Sequence, residues 1–225
     1  MRPINDLIKD TLKIYADNWV FLIKSLLVSV VLVLPLVLGF ILPIAAGIGA
    51  IFVEQKIMMI LLAVIFFLIF IILAVIIGSW SQAFVYQAIH QAGKNKPLPI
   101  REVLRLAWPK WSAYFLANLL SGFLILLGFL LLIIPGIVFM IWFFFIPFVV
   151  VIEKKGAVQS LKRSKALVSS HFWGVLGRLA LILLLSLLVS SVSVKLSFIG
   201  PIIQFLLSPL WMIAGYLIYA DLAKA

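Results

Sequence analysis

The densest group of side chains able to do chemistry is Lys162, Arg163 and Lys165, with Arg178 close by. Ammonium and guanidinium groups at that density suit anionic headgroups, each adding about 1 kcal/mol near a charged surface. Glu153 sits just before this group. It could pair with Arg163 or Arg178, or cap the next helix. General acid–base catalysis would need a second acid or a nucleophile–base pair beside it, and no such motif is present. The histidines, His90 and His171, stand 81 residues apart, and there is no cysteine. The expectation is therefore no metal, no cofactor and no enzyme.

A second group of polar residues lies inside apolar sequence. Gln82, Asn118 and Gln204 fall within or beside charge-free runs, as does Ser79. Such groups tie membrane helices together through hydrogen bonds worth about 0.6–2 kcal/mol each. A polar path through the bundle is their other use. Ser186, Ser190, Ser193 and Ser197 step by four, three and four, so they share one helix face. Ala113, Ala117 and Ser121 do the same. Small residues at this spacing let backbones approach closely.

The elements that carry these residues follow from composition. The chain is 66% hydrophobic and 11% charged, against about 25% charged in a soluble domain. Its mean hydropathy is +1.31. That excludes soluble, disordered and coiled-coil classes. A membrane helix needs about 20 apolar residues. The charge-free runs divide into six spans near 22–43, 57–80, 112–134, 137–153, 173–194 and 198–220. Pro135-Gly136 marks the turn between the third and fourth, and Pro35 and Pro147 are expected to kink their helices.

Sixteen of the eighteen Lys and Arg residues fall on one side of these spans, and only Lys56 and Lys195 on the other. By the positive-inside rule both termini are cytoplasmic. The net charge of +11 then reports topology and anionic lipid, with no nucleic acid. Ten of the twelve Trp and Tyr residues crowd the same boundary, Trp142 and Trp211 being the exceptions.

Three charged segments have helical period and should lie along the inner leaflet. In the first, Ile4, Leu7, Ile8, Leu12, Tyr15, Trp19 and Leu22 form the apolar stripe. In the second, Ile100, Val103, Leu104, Ala107, Trp108 and Trp111 do so. In the third, 157–170, Val158, Leu161, Val168 and Phe172 face one way, and Lys165 falls within the stripe and must snorkel. The expected fold is an all-α membrane bundle of six transmembrane helices and about three interfacial ones. It forms one domain, 1–225: an amphipathic helix at 1–24, a hairpin at 25–93, a surface helix plus hairpin at 97–153, and a basic surface helix plus hairpin at 157–225.

The stretch 131–177 reads LLIIPGIVFMIWFFFIPFVVVIEKKGAVQSLKRSKALVSSHFWGVLG. A Pro-Gly pair precedes a proline-containing span ending in Glu153. A turn at Gly156, a leucine–serine–basic helix and a His-Phe-Trp entry follow. This pattern resembles the membrane domain of glycerophosphoryl diester phosphodiesterases. It is also similar to the stand-alone bacterial inner-membrane proteins of the YciC type. YQAIHQAGKNKPLPIREVLRLAW, earlier in the chain, is compatible with both. The phosphodiesterases append a soluble catalytic barrel, for which this sequence has no counterpart. The resemblance thus implies a prokaryotic inner-membrane location and a fold, without enzymatic activity. The function expected is organising or binding anionic lipid or partner proteins through the basic cytoplasmic face, with a second copy of the chain also open as a partner. The alternative is a transporter or channel for a lipidic or small solute.

Overall fold

The computed structural model describes residues 1–39 and 56–224. The end of the span expected at 22–43, and the loop that follows it, lie outside the described residues. Among those described, 90% are helical and none forms a strand. The helices are α1 (Ile4–Gly39), α2 (Lys56–Gly93), α3 (Ile100–Ala107), α4 (Trp111–Leu131), α5 (Ile133–Phe143), α6 (Ile146–Glu153), α7 (Ala157–Ser169), α8 (Phe172–Val194) and α9 (Ile199–Lys224). A 3-10 turn, Trp108–Lys110, joins α3 to α4. Six stretches are long and apolar enough to cross a membrane: Ile4–Leu36, Ile60–Gly93, Ile100–Leu131, Ile133–Glu153, Phe172–Val194 and Ile199–Lys224. The protein is an all-helical, multi-pass membrane protein.

Three boundaries differ from the sequence reading. The amphipathic N-terminal segment is not a separate helix, because α1 runs unbroken from Ile4 to Gly39. Its buried face is also different. Leu7, Thr11, Ile14, Asn18, Leu22 and Ser25 are buried, while Ile8, Leu12 and Trp19 are exposed. The buried polar members bond to their own helix, Thr11 Oγ1 to Leu7 O, Asn18 Nδ2 to Ile14 O and Ser25 Oγ to Phe21 O, and Asn18 Nδ2 also donates to Asn95 Oδ1 at 3.2 Å. Satisfied in this way, they pack as small residues.

The second difference is the hairpin turn, which falls at Leu132 (φ −164°, ψ 155°) rather than at Pro135-Gly136. Pro135 occupies the first turn of α5, where its missing N–H is no loss. Gly136 instead serves a close approach: a Cβ there would lie 2.5 Å from the Phe129 ring. The third is the fourth span, where the kink expected at Pro147 is a full break at Phe144-Phe145, with Pro147 in the first turn of the following α6. Pro35, by contrast, lies inside a continuous α1.

That break builds the core. Phe145, Phe148 and Val149 face a cluster with Leu22, Ile213 and Ile218 from α1 and α9. Ile146, Val150 and Val151 face another with Phe84, Val103 and Ala107 from α2 and α3. The short α6 is thus sandwiched, and everything else is arranged around it.

Candidate functional site at the basic end

The residues around α6 hold the charged chemistry of the molecule. Lys154 follows α6 in a left-handed conformation (φ 55°), which reverses the chain into α7. The reversal brings Arg163 back onto Glu153, with Nε donating to Oε1 at 3.2 Å and Oε2 at 3.3 Å. Lys155 Nζ lies 2.7 Å from Glu153 Oε2, and the Tyr219 hydroxyl of α9 donates to Oε1 at 3.0 Å. One carboxylate therefore joins α6, α7 and α9. Of the two partners expected for it, Arg163 is present and Arg178 is not.

The four basic residues expected to share a lipid site have separate positions. Lys162 is exposed on α7. Arg163 belongs to the Glu153 cluster. The Lys165 ammonium stands 4.3 Å from the centroid of the Trp142 ring, so an aromatic face receives the charge expected to snorkel. Arg178, on α8, reaches the other way. Its Nη2 donates to the Arg2 carbonyl at 2.8 Å and its Nη1 to Gly174 O at 3.0 Å. The four do not form one constellation, because Arg178 is recruited by the N-terminus.

Arg2 is the centre of that second cluster. Its backbone N–H donates to Asp221 Oδ2 at 2.9 Å and its Nη2 to Asp221 Oδ1 at 2.8 Å. Asp10 accepts from its Nη1. The hydrogen-bonded Asp221 raises the Arg2 guanidinium pKa above its ordinary value, against the opposing effect of burial. The clamp closes the start of α1 onto the end of α9.

The buried face of α7 corrects the expected stripe. Val158 is 56% exposed, whereas Ser160 and Ser164 are fully covered beside Leu161, Leu167 and Val168. Ser164 Oγ donates to Trp142 O at 2.6 Å. Two serines, polar by type, are contact residues because α7 is pressed against α5 and α4. Of the α3 stripe, Val103 and Ala107 are buried and Trp108 is exposed. Trp108 packs edge-on against Trp80 at 4.9 Å.

The polar residues of the spans do not converge. Gln82 is exposed on α2, and Asn118 is exposed on α4 with its Nδ2 donating to Tyr114 O of its own helix. Gln204 of α9 donates to Ser190 Oγ of α8. Ser186 bonds to Leu183 O and the buried Ser193 to Val189 O. The close approach expected along this serine face occurs at Ser193, where a Cβ on Gly200 would fall 2.0 Å from its carbonyl oxygen.

Lys110 is the functional-grade residue that the sequence reading used only as a loop charge. It is 8% exposed. Its ammonium donates to Gln87 Oε1 and to Val151 O, both at 2.8 Å. Both acceptors are neutral. A cavity of about 590 Å³ opens beside it, between α3, α4, α6 and the turn before α7. Arg105, Lys154 and Lys155 also line it, with Glu102 as its one acid. Local sequence gave no sign of this, since Lys110 is buried by residues 23 and 41 positions away.

Residues 111–220 match the model of a family described as a domain of unknown function (DUF7847). No curated protein and no solved structure matches the chain. The matched segment is just under half of the chain. It contains Glu153, α7, α8, most of α9 and one wall of the cavity, and it begins just after Lys110.

Proposed function

We propose that the protein is a non-catalytic multi-pass component of a prokaryotic plasma membrane that organises anionic lipid or partner proteins at its basic end. Both termini lie on the cytoplasmic side in this reading, with α3, α7 and the first turns of α1 at headgroup depth. The carrying observation is the sorting of charge against packing. Tightly packed helix ends bear nearly all the Lys and Arg, whereas the apolar windows of α1, α2 and α8 are almost unburied, with none of the α2 window buried.

The rest of the chemistry agrees. Glu153, the acid nearest the basic helix, is held by three partners and faces no second acid or nucleophile in that cluster. Gln82, Asn118 and Gln204 lie on three different helices, and Asn118 and Gln204 each bond locally, to Tyr114 O and Ser190 Oγ, which favours local ties over a polar path. The resemblance to phosphodiesterase membrane domains and YciC-type proteins fits the same location.

Two measurements test the reading. A cysteine at Lys96 should be shielded from an impermeant thiol reagent in intact cells, and one at Leu196 should react. The reverse pattern overturns the orientation. Purification in native nanodiscs should then recover the protein with anionic lipid enriched over the bulk membrane, and an unenriched lipid shell overturns the lipid role.

A further inference from the structure

We propose that the cavity beside Lys110 is a phosphate-binding site that seats the headgroup of an anionic phospholipid. It is distinct from the α7 cluster, and it rests on the reading of the basic end as a lipid-facing surface. Three observations converge on it.

The first is Lys110 itself. An ammonium taken out of water is costly unless a counter-charge accompanies it. Lys110 has only an amide oxygen and a peptide carbonyl. Two of its three donors are used, and the third has no acceptor among the described residues. Among the described residues, no carboxylate lies within ion-pair distance of Lys110, Arg105 or Lys154. A bound anion would supply the missing charge.

The second is the lining. Four basic groups, Arg105, Lys110, Lys154 and Lys155, and one acid, Glu102, line the cavity. Lys155 is shared with Glu153, which leaves Arg105, Lys110 and Lys154 to meet the anion. The turn at Gly156 also lines the cavity. There α7 begins without a side-chain cap, and the first N–H groups of a helix, which have no intrahelical acceptors and carry its positive dipole end, start at that lining residue.

The third observation selects a lipid over a soluble anion. The rest of the cavity lining is apolar: Leu106, Pro109, Ala113 and Val150. Along α4 from Ala113, Leu116, Leu119 and Phe123 are exposed. A headgroup phosphate in the cavity would leave its acyl chains against this apolar surface, an arrangement known for basic pockets between membrane helices.

The test uses the full chain in nanodiscs of phosphatidylcholine with a fixed fraction of phosphatidylglycerol, released and weighed by native mass spectrometry. Parent protein should retain phosphatidylglycerol selectively. The double variant Arg105→Gln/Lys154→Gln, which changes exposed side chains only, should lower that retention by about thirtyfold. Lys110→Met should lower it further. The double variant Lys162→Gln/Lys165→Gln removes the same charge from α7 and should lower it less than about threefold. Equal losses in the two double variants would overturn the site and reduce it to a general charge effect. A loss in the α7 variant alone would overturn the site while leaving the lipid-binding face intact. A parent protein with no selectivity would overturn both. Inorganic phosphate provides the remaining arm. Millimolar phosphate that raises the melting temperature of parent but not of Arg105→Gln/Lys154→Gln, without lipid selectivity, would keep the phosphate site and assign it a soluble ligand.

Discussion

The two halves of α2 obey opposite rules. From Ile57 to Leu73 its isoleucines, leucines and phenylalanines are largely exposed, with Ile57 at 78%. From Ser81 to Ala92 the same helix is buried on nearly every side, and Phe84 is fully covered. The exposed half is the more apolar one, the reverse of a soluble protein. The contrast extends to the whole molecule. At the basic end, large apolar side chains from α1, α2, α3, α6 and α9 interdigitate. At the other end, among the described residues, close approaches are made at glycines within a hairpin: Gly128 against Gly136, and Gly200 against Ser193.

Solvent explains the difference. Among lipid tails, apolar surface gains nothing by leaving its surroundings, so only close backbone contact and hydrogen bonds join helices. Near the headgroups water is present, and burial of apolar area again drives packing. The bundle is therefore held from one end, and its opposite end is left to the lipid.

The largest expected effect follows directly. Phe145→Ala removes a fully buried ring between α6 and α9, and should cost about 3–5 kcal/mol. Leu187→Ala, on the exposed face of α8, should change stability by less than about 0.5 kcal/mol. Thermal unfolding in one detergent or lipid mixture compares them. Similar losses would mean that the apolar end is packed too, and the one-ended picture would fail.

Glycines sharpen the comparison. A Cβ on Gly93 would sit 2.1 Å from Tyr216 Cε1, and Tyr216 is itself buried. Gly93→Ala should thus cost about 1–3 kcal/mol by overpacking. Gly122 has nothing within 4 Å of a Cβ, so Gly122→Ala should be neutral, or stabilising by up to about 1 kcal/mol through helix propensity. Gly200→Ala should be costly despite its location, because its Cβ meets the Ser193 carbonyl. A tolerated Gly200→Ala would show that the α8–α9 turn relaxes freely.

The Glu153 cluster should have a smaller effect. Glu153→Gln keeps the shape but removes the charge facing Arg163 and Lys155, whose side chains are each 36% exposed. Solvent screening at that exposure limits the loss to about 1–2 kcal/mol. Trypsin should cut α7 at Lys162 and Lys165 several times faster in this variant. Unchanged cleavage would mean that α7 is held by Ser160, Ser164 and its apolar neighbours alone.

Much of this architecture was legible because it depends on solvent. Charge-free runs mark where lipid is, and the six spans follow. Features set by tertiary contact were not legible. Pro135-Gly136 reads as a turn by local chemistry, yet proline also suits the first turn of a helix, and the chain turned at Leu132 instead. Ser160 and Ser164 look solvent-facing by type, but their smallness puts them against α5. Arg178 was grouped with Lys162, Arg163 and Lys165 by proximity in sequence, whereas its partner, the Arg2 carbonyl, is 176 residues distant. Lys110 was hidden for the same reason, since neither Gln87 nor Val151 is near it in the chain.

The smallest effect bears most on function. Gln204 and Ser190 form the one side-chain bond described between α8 and α9, toward the apolar end. If the bond is a tie between helices, Gln204→Leu and Ser190→Ala should each cost little, and a double-mutant cycle should return a coupling of about 0.6 kcal/mol, with about 1.7 as the ceiling for such bonds. Lipid retention at the basic end should not change, since the pair lies away from the Lys110 cavity and the α7 cluster. A coupling indistinguishable from zero would mean that Gln204 is free in the membrane to meet water or solute. Together with a solute flux in proteoliposomes that Gln204→Leu abolishes, it would turn the apolar end from a lipid-solvated hairpin into part of a transport path. A measurable coupling without flux leaves the two ends with the separate roles their packing implies.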